Sequence, residues 1–118
     1  MSGAVIGSAM QVHAALGPGL LESAYEECLC RQLSLDGLPF RRQVEVPVEY
    51  AGLQLDCGFR LDLLVAEKLI VELKSVAAVT PVHRAQLLTY LKLSRMPLGL
   101  IFNFNVVHLR DGLSRVAN

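Results

Sequence analysis

The chain has 118 residues, and its 11 basic and 11 acidic side chains cancel to a formal charge of zero. That balance excludes a histone-like basic protein, an acidic tail and a polybasic membrane binder. Apolar residues make up 53% of the chain and the mean hydropathy is +0.42. Such a composition excludes intrinsic disorder and, on so short a chain, predicts an apolar surplus that favours a homodimer or a protein partner. Glu22, Arg60, Asp62, Glu72 and Lys74 interrupt the longest apolar runs, so no membrane span is expected. Residues Met1 to Met10 show neither the basic nor the apolar stretch of a signal peptide, and Cys28, Cys30 and Cys57 are an odd set without regular spacing. Both features predict a cytoplasmic, reducing location. Cys28 and Cys30, two apart on a helix, point to different faces and do not read as a zinc knuckle.

Val5, Ala9, Val12 and Leu16 recur at helical spacing and predict a first helix over about Ala4 to Leu16, broken by Gly17-Pro18-Gly19. A second helix is predicted from about Leu21 to Leu35, with Leu21, Tyr25, Cys28, Leu29 and Gln32 on its inner face and Gly37 just past its end. The period then changes to two: Val44, Val46, Val48 and Tyr50 alternate with polar residues, and Pro47 pushes that strand to an edge. Ala51-Gly52 reads as a tight turn into a strand through Leu55 and Cys57 to about Val65, with a bulge or bend at Gly58. A third strand is expected at Leu69 to Ser75. Thr80 reads as N-cap and Pro81 as first residue of a helix ending near Ser94. Strands at Leu98 to Phe102 and Val106 to Leu109 complete the order α-α-β-β-β-α-β-β. The expected fold is α/β, a central mixed sheet flanked by helices, within one domain over residues 1–118.

The chemistry lies in Arg60-Leu61-Asp62 and Ile70-Val71-Glu72-Leu73-Lys74. Residues two apart on a strand share a face, so Ile70, Glu72 and Lys74 point one way and Leu69, Val71 and Leu73 the other. A three-residue turn at Ala66-Glu67-Lys68 pairs Val65 with Leu69 and brings Asp62 opposite Glu72. Directly opposed Cβ atoms lie roughly 4.5–5.5 Å apart. Two carboxylates that close repel unless a cation sits between them, and a hard ion such as Mg²⁺ suits carboxylate oxygens. Lys74, one pleat from Glu72, is placed to orient a water or hold charge on a phosphate. The plainer alternative is a diagonal Asp62–Lys74 ion pair on a solvated face. On the third helix His83, Gln86 and Tyr90 form a polar stripe beside an apolar one of Val82, Ala85, Leu88 and Leu91. That stripe either reaches the carboxylates through Gln86 and Tyr90 or faces water, as is expected of His83. Glu22, in a first helical turn, is explained by the helix dipole alone.

Gly19-x-x-Glu22-x-x-Tyr25 resembles the signature of the GxxExxY family. Asp62, Glu72-x-Lys74 and Gln86-x-x-x-Tyr90 resemble the PD-(D/E)XK nuclease superfamily, its RecB-like branch in particular, and the resemblance runs from about Val5 to Asn118. It implies a restriction-endonuclease-like core with the active site at one edge of the sheet. It further implies Mg²⁺ or Mn²⁺ held by Glu22, Asp62, Glu72 and the carbonyl of Leu73, an attacking water positioned by Lys74, and support from Gln86 and Tyr90. Tyr25 is expected to pack rather than react. Leu61 stands where the motif has proline. The implied activity is metal-dependent phosphodiester hydrolysis of a nucleic acid, DNA ahead of RNA, with Arg41, Arg42, Arg60, Arg84 and Arg95 as candidates to hold flanking phosphates. The alternative is a catalytically silent module of the same fold that binds nucleic acid or a protein partner.

Overall fold

Helix α1 spans Ser2–Leu16 and α2 spans Glu22–Leu35, in a computed structural model that describes all 118 residues. Strands β1 (Phe40–Tyr50), β2 (Leu53–Val65) and β3 (Leu69–Lys74) follow, then α3 (Pro81–Ser94), β4 (Leu98–Asn103), a 3₁₀ turn (Leu109–Gly112) and β5 (Leu113–Ala117). The strands form one five-stranded sheet in the order β1-β2-β3-β4-β5. Only β3 and β4 are parallel, with α3 as their crossover; the other neighbours are antiparallel. The fold is thus the expected α/β mixed sheet flanked by helices. No helix is long and apolar enough to cross a membrane.

Local chemistry accounts for the helix ends. Gly17 and Gly19 sit at φ +69° and +100°, backbone that side-chain-bearing residues rarely adopt, and they turn the chain between α1 and α2. At α3 the Thr80 hydroxyl accepts the His83 N–H while the His83 ring accepts the Thr80 N–H, a reciprocal cap with Pro81 at the first position. His83 is therefore a capping residue.

Each face of the sheet holds one apolar cluster. On one face Val5, Ala9 and Val12 of α1 and Tyr25, Leu29 and Leu33 of α2 meet Leu63, Val65, Leu69, Val71, Leu73, Leu100 and Phe102. On the other, Leu87 and Leu91 of α3 meet Leu61, Leu64, Ile70 and Ile101. Gly99 lets α3 settle close, because a Cβ there would lie only 2.8–3.0 Å from the Leu87 side chain.

The inner faces expected for the helices shift at their ends. Leu16 (41% exposed) and Leu21 (76%) lie open, and Cys28 and Gln32 are only half-buried. On α3 the expected stripe of Val82, Ala85, Leu88 and Leu91 is replaced by Leu87 and Leu91. Val82 and Ala85 are exposed and Leu88 is half-buried.

The β1–β2 hairpin bends twice. Past the Gln43–Asp62 step the register is kept but the faces exchange: Leu63 and Val65 join the α1/α2 core, whereas Leu61, Phe59, Val44 and Val46 pack with α3. Gln43 takes a left-handed backbone (φ +48°), which breaks the alternation there. Further out, Val46 pairs with Phe59 but Val48 with Leu55, the irregularity expected near Gly58, where a Cβ would run into the Val48 side chain.

The last strand departs from expectation. Val106–Leu109 is not a strand: Leu109 opens the 3₁₀ turn, and the irregular stretch before it is held by His13, whose Nε2 lies 3.2 Å from the Phe104 carbonyl and 2.9 Å from that of Val106. Both partners are acceptors, so Nε2 carries the hydrogen. The strand comes later, at Leu113–Ala117, pairing Phe102 with Leu113 through Leu98 with Ala117. Gly112 permits the return, since a Cβ there would collide with the Asn103 carbonyl.

Candidate active site

The turn Ala66-Glu67-Lys68 sets the geometry. Ala66 and Glu67 both take left-handed φ (+52° and +57°), the twist that suits a tight hairpin, and Lys68 N–H closes onto the Val65 carbonyl at 3.1 Å. The ladder then runs Val65–Leu69, Leu64–Ile70 and Leu63–Val71, where regular pairing stops. The next step in that register is Asp62 and Glu72. Side chains replace the ladder there: the Asp62 carboxylate accepts the Leu73 N–H at 2.9 Å, and Glu72 Oε1 accepts the Asp62 N–H at 3.4 Å. The two acids predicted to meet are thus brought together at the point where β2 and β3 part.

Glu72 is 8% exposed. Burial first, then the charge of Asp62 and the hydrogen bonding to it, push its carboxyl up to about 9, while the Asp62 N–H and the Lys74 charge pull the other way. Without a cation, burial and the neighbouring acid favour the protonated form of Glu72. Lys74 is half-buried and makes no ion pair. The chain's salt bridges join Arg41 to Glu67, Arg42 to Glu26 and Glu27, and Arg60 to Glu45, so the diagonal Asp62–Lys74 pair is not formed.

The backbone around Lys74 is clamped from two sides. The Ser75 hydroxyl donates to the Leu20 carbonyl at 2.7 Å. Asn103, paired with Lys74 across β3 and β4, is buried; its amide nitrogen donates to the Val76 carbonyl at 3.0 Å and its oxygen accepts the N–H of Val76 and Asn105. Sequence reasoning missed Asn103. The available signal was a lone amide ending a buried apolar strand, a position that requires partners.

Tyr90 reaches the site from α3. Its ring stacks on Phe59 at 4.4 Å and 5°, and burial, then the charges of Glu72 and Asp62, raise its pKa. Gln86, one turn earlier, is exposed, and its side chain makes no hydrogen bond within the chain. Glu22 opens α2, and no group of three His, Cys, Asp or Glu side chains gathers in this structure, so the pair formed here is Asp62 with Glu72. The Ser75–Leu20 bond nonetheless ties the segment before Glu22 to the end of β3. Tyr25 is fully buried and stacks on Phe104 at 4.4 Å. Its hydroxyl donates to the Gly17 carbonyl at 2.5 Å and accepts the Leu20 N–H at 3.2 Å, latching the turn that contains Gly19. The arginines expected to hold phosphates are mostly engaged: Arg41, Arg42 and Arg60 by glutamates, and Arg84 by Ser114. Arg95 caps α3 in a left-handed conformation.

A buried carboxyl beside a second one, with the Lys74 charge close enough to act on it, is a carboxylate-oxygen site on an α/β sheet that suits a hard divalent cation better than a soft one. The sequence profile of the PD-(D/E)XK nuclease superfamily matches residues 1–116, and the chain belongs to that superfamily. Its members generally use divalent metals, and the superfamily points to a nucleic-acid substrate. No curated protein and no solved structure matches the chain.

Proposed function

We propose that this chain is a nuclease that hydrolyses phosphodiester bonds with Mg²⁺ or Mn²⁺, acting in the cytoplasm on DNA ahead of RNA, and that it lies in the GxxExxY group of the RecB-like branch. The observation that carries the reading is the meeting of Asp62 with buried Glu72 where the β2–β3 ladder opens. A fold keeps a proton on such a pair or a cation between its members, and the second state is the useful one.

Asp62 and Glu72 would hold the ion. The Leu73 N–H already points at Asp62. A strand residue exchanges both its N–H and its C=O with the same neighbour, so the Leu73 carbonyl faces that gap as a third donor. Waters would fill the remaining positions. The bound ion supplies polarisation of a phosphate oxygen and a more acidic water. Lys74, its backbone fixed by the Ser75 and Asn103 clamps, holds the water proton-side out and offsets charge on the phosphate. Tyr90, steadied by Phe59, and Gln86 form the α3 border of the site and offer a hydroxyl and an amide to the scissile phosphate. The apolar surplus, visible as exposed Leu21, Tyr50, Leu53 and Val107, suits a dimer or a protein partner.

Single- and double-stranded DNA and RNA incubated with Mg²⁺ and Mn²⁺ test this directly. Wild type should cleave at least one substrate. Lys74→Ala should retain metal binding by calorimetry and lose about 10²–10³-fold in rate, the range for removing one charge-stabilising group. Asp62→Ala should lose the metal heat itself. Metal and nucleic-acid binding without cleavage by wild type would instead establish the catalytically silent module.

A further inference from the structure

The largest cavity of the chain, about 700 Å³, does not lie over the carboxylates. It opens between α1 and the segment after β4, lined by Met10, His13, Val107, His108, Leu109 and Arg110 among others, with no carboxylate in its wall. Yet it belongs to the same end of the sheet as Lys74. Lys74 and Asn103 pair at the ends of parallel β3 and β4, and the cavity-forming segment begins one residue later at Phe104, whose N–H binds the Lys74 carbonyl at 3.0 Å. On its other side Gly17, also in the lining, connects through the Tyr25 hydroxyl to Leu20, and Leu20 to Ser75. Ligands of open α/β sheets favour the crevice beyond the carboxyl ends of parallel strands.

The lining is chemically two-sided. Met10 (44% exposed) and Val107 (79%) give an open apolar wall. Arg110 is exposed and, unlike Arg41, Arg42 and Arg60, has no carboxylate partner. His108 stands beside it, and Asp111 belongs to a neighbouring cavity instead. The His13 bonds to Phe104 and Val106 hold the cavity's far wall against α1, so its shape is preformed. An unpaired guanidinium next to an apolar wall, in a space of the size that takes small ligands, fits an anion joined to a flat apolar group.

We infer that this cavity is a nucleotide subsite: Arg110 and His108 take a phosphate of the substrate strand, and Met10 and Val107 take its base. The inference rests on the reading of a nucleic-acid substrate, which the catalytically silent alternative shares. The occupant is one unit of a single strand, because a stacked base pair exposes no face to such a wall.

The test uses the wild-type chain in EDTA, titrated with a 5′-phosphorylated thymidine dinucleotide and followed by ¹⁵N–¹H spectra. Amide shifts should concentrate at Ala14, Val107 and Arg110, and Arg110→Ala, a surface truncation, should weaken binding about tenfold, the loss of one charge-assisted contact. Shifts confined to Asp62, Glu72 and Tyr90, or equal affinity in Arg110→Ala, would overturn the subsite while leaving the nuclease reading intact. Shifts at the cavity from a chain that cleaves nothing with Mg²⁺ or Mn²⁺ would uphold the subsite and end the nuclease reading.

Discussion

The two faces of the sheet are built to different standards. The α1/α2 face buries a cluster of 16 residues, among them Tyr25, Phe102 and Phe104. The α3 face buries six, all aliphatic, and beside them leaves the gap that holds Asp62 and Glu72. One face supplies stability; the other is covered by a single helix, so a polar site can stay partly dry and still be reached. The difference shows how a small domain accommodates a carboxyl pair that lowers its stability: the cost falls on the thin face, and the thick face offsets it.

The largest expected effect is electrostatic and belongs to the thin face. Burial, then the charge of Asp62, push the Glu72 carboxyl in the folded chain up to about 9 from an ordinary 4.5. Between those values the folded state binds a proton that the unfolded state has released, so stability should fall steadily as pH rises through that window. At about 1.4 kcal/mol per unit the change amounts to several kcal/mol. Thermal melts in EDTA from pH 5 to 9 should show a declining Tm, and Glu72→Gln should flatten the curve and melt higher at pH 8. Divalent ions, which need the ionised carboxyl, should restore most of the loss at high pH. A flat wild-type profile would mean that the place of Glu72, buried beside Asp62, does not hold a proton on it.

Core truncations sharpen the contrast next. Leu29→Ala, in the thick layer, should cost about 4 kcal/mol, and Leu91→Ala, in the thin one, about 2–3 kcal/mol, as the sparser side collapses more readily around the gap. Urea titrations read both. Equal losses would say that the two layers are equivalent and the site's location needs another explanation.

Much of this was legible before any coordinates. The meeting of Asp62 and Glu72 followed from counting residues across one short turn, because a hairpin register is fixed by its loop. The start of α3 followed from Thr80 and Pro81, whose chemistry is local. What was not legible depended on contacts distant in sequence. Val106–Leu109 has an apolar pattern that suits a strand, but a histidine 93 residues away claims the Val106 carbonyl. The face exchange at Gln43 comes from a backbone conformation unusual for glutamine, and strict alternation cannot foresee it. Where Glu22 lies relative to the other acids was not legible either, since a motif in sequence fixes an element's end and not the approach of one helix to a strand.

The smallest predicted effect tests whether the thick face does more than hold the fold. Tyr25 sits wholly within that layer, yet its hydroxyl latches the Gly17–Leu20 turn, and Leu20 in turn anchors Ser75 beside Lys74. Tyr25→Phe keeps the stacking on Phe104 and removes only those two hydrogen bonds. The expected cost is about 1 kcal/mol, a Tm lower by about 4 °C, with the pH dependence of Tm unchanged because Glu72 is untouched. Hydrogen exchange at the Leu20 amide should speed up while amides of β3 stay protected. If Leu20 exchanged no faster, the turn would be held by its glycines and proline alone, and the two faces of the sheet would be mechanically independent at this edge.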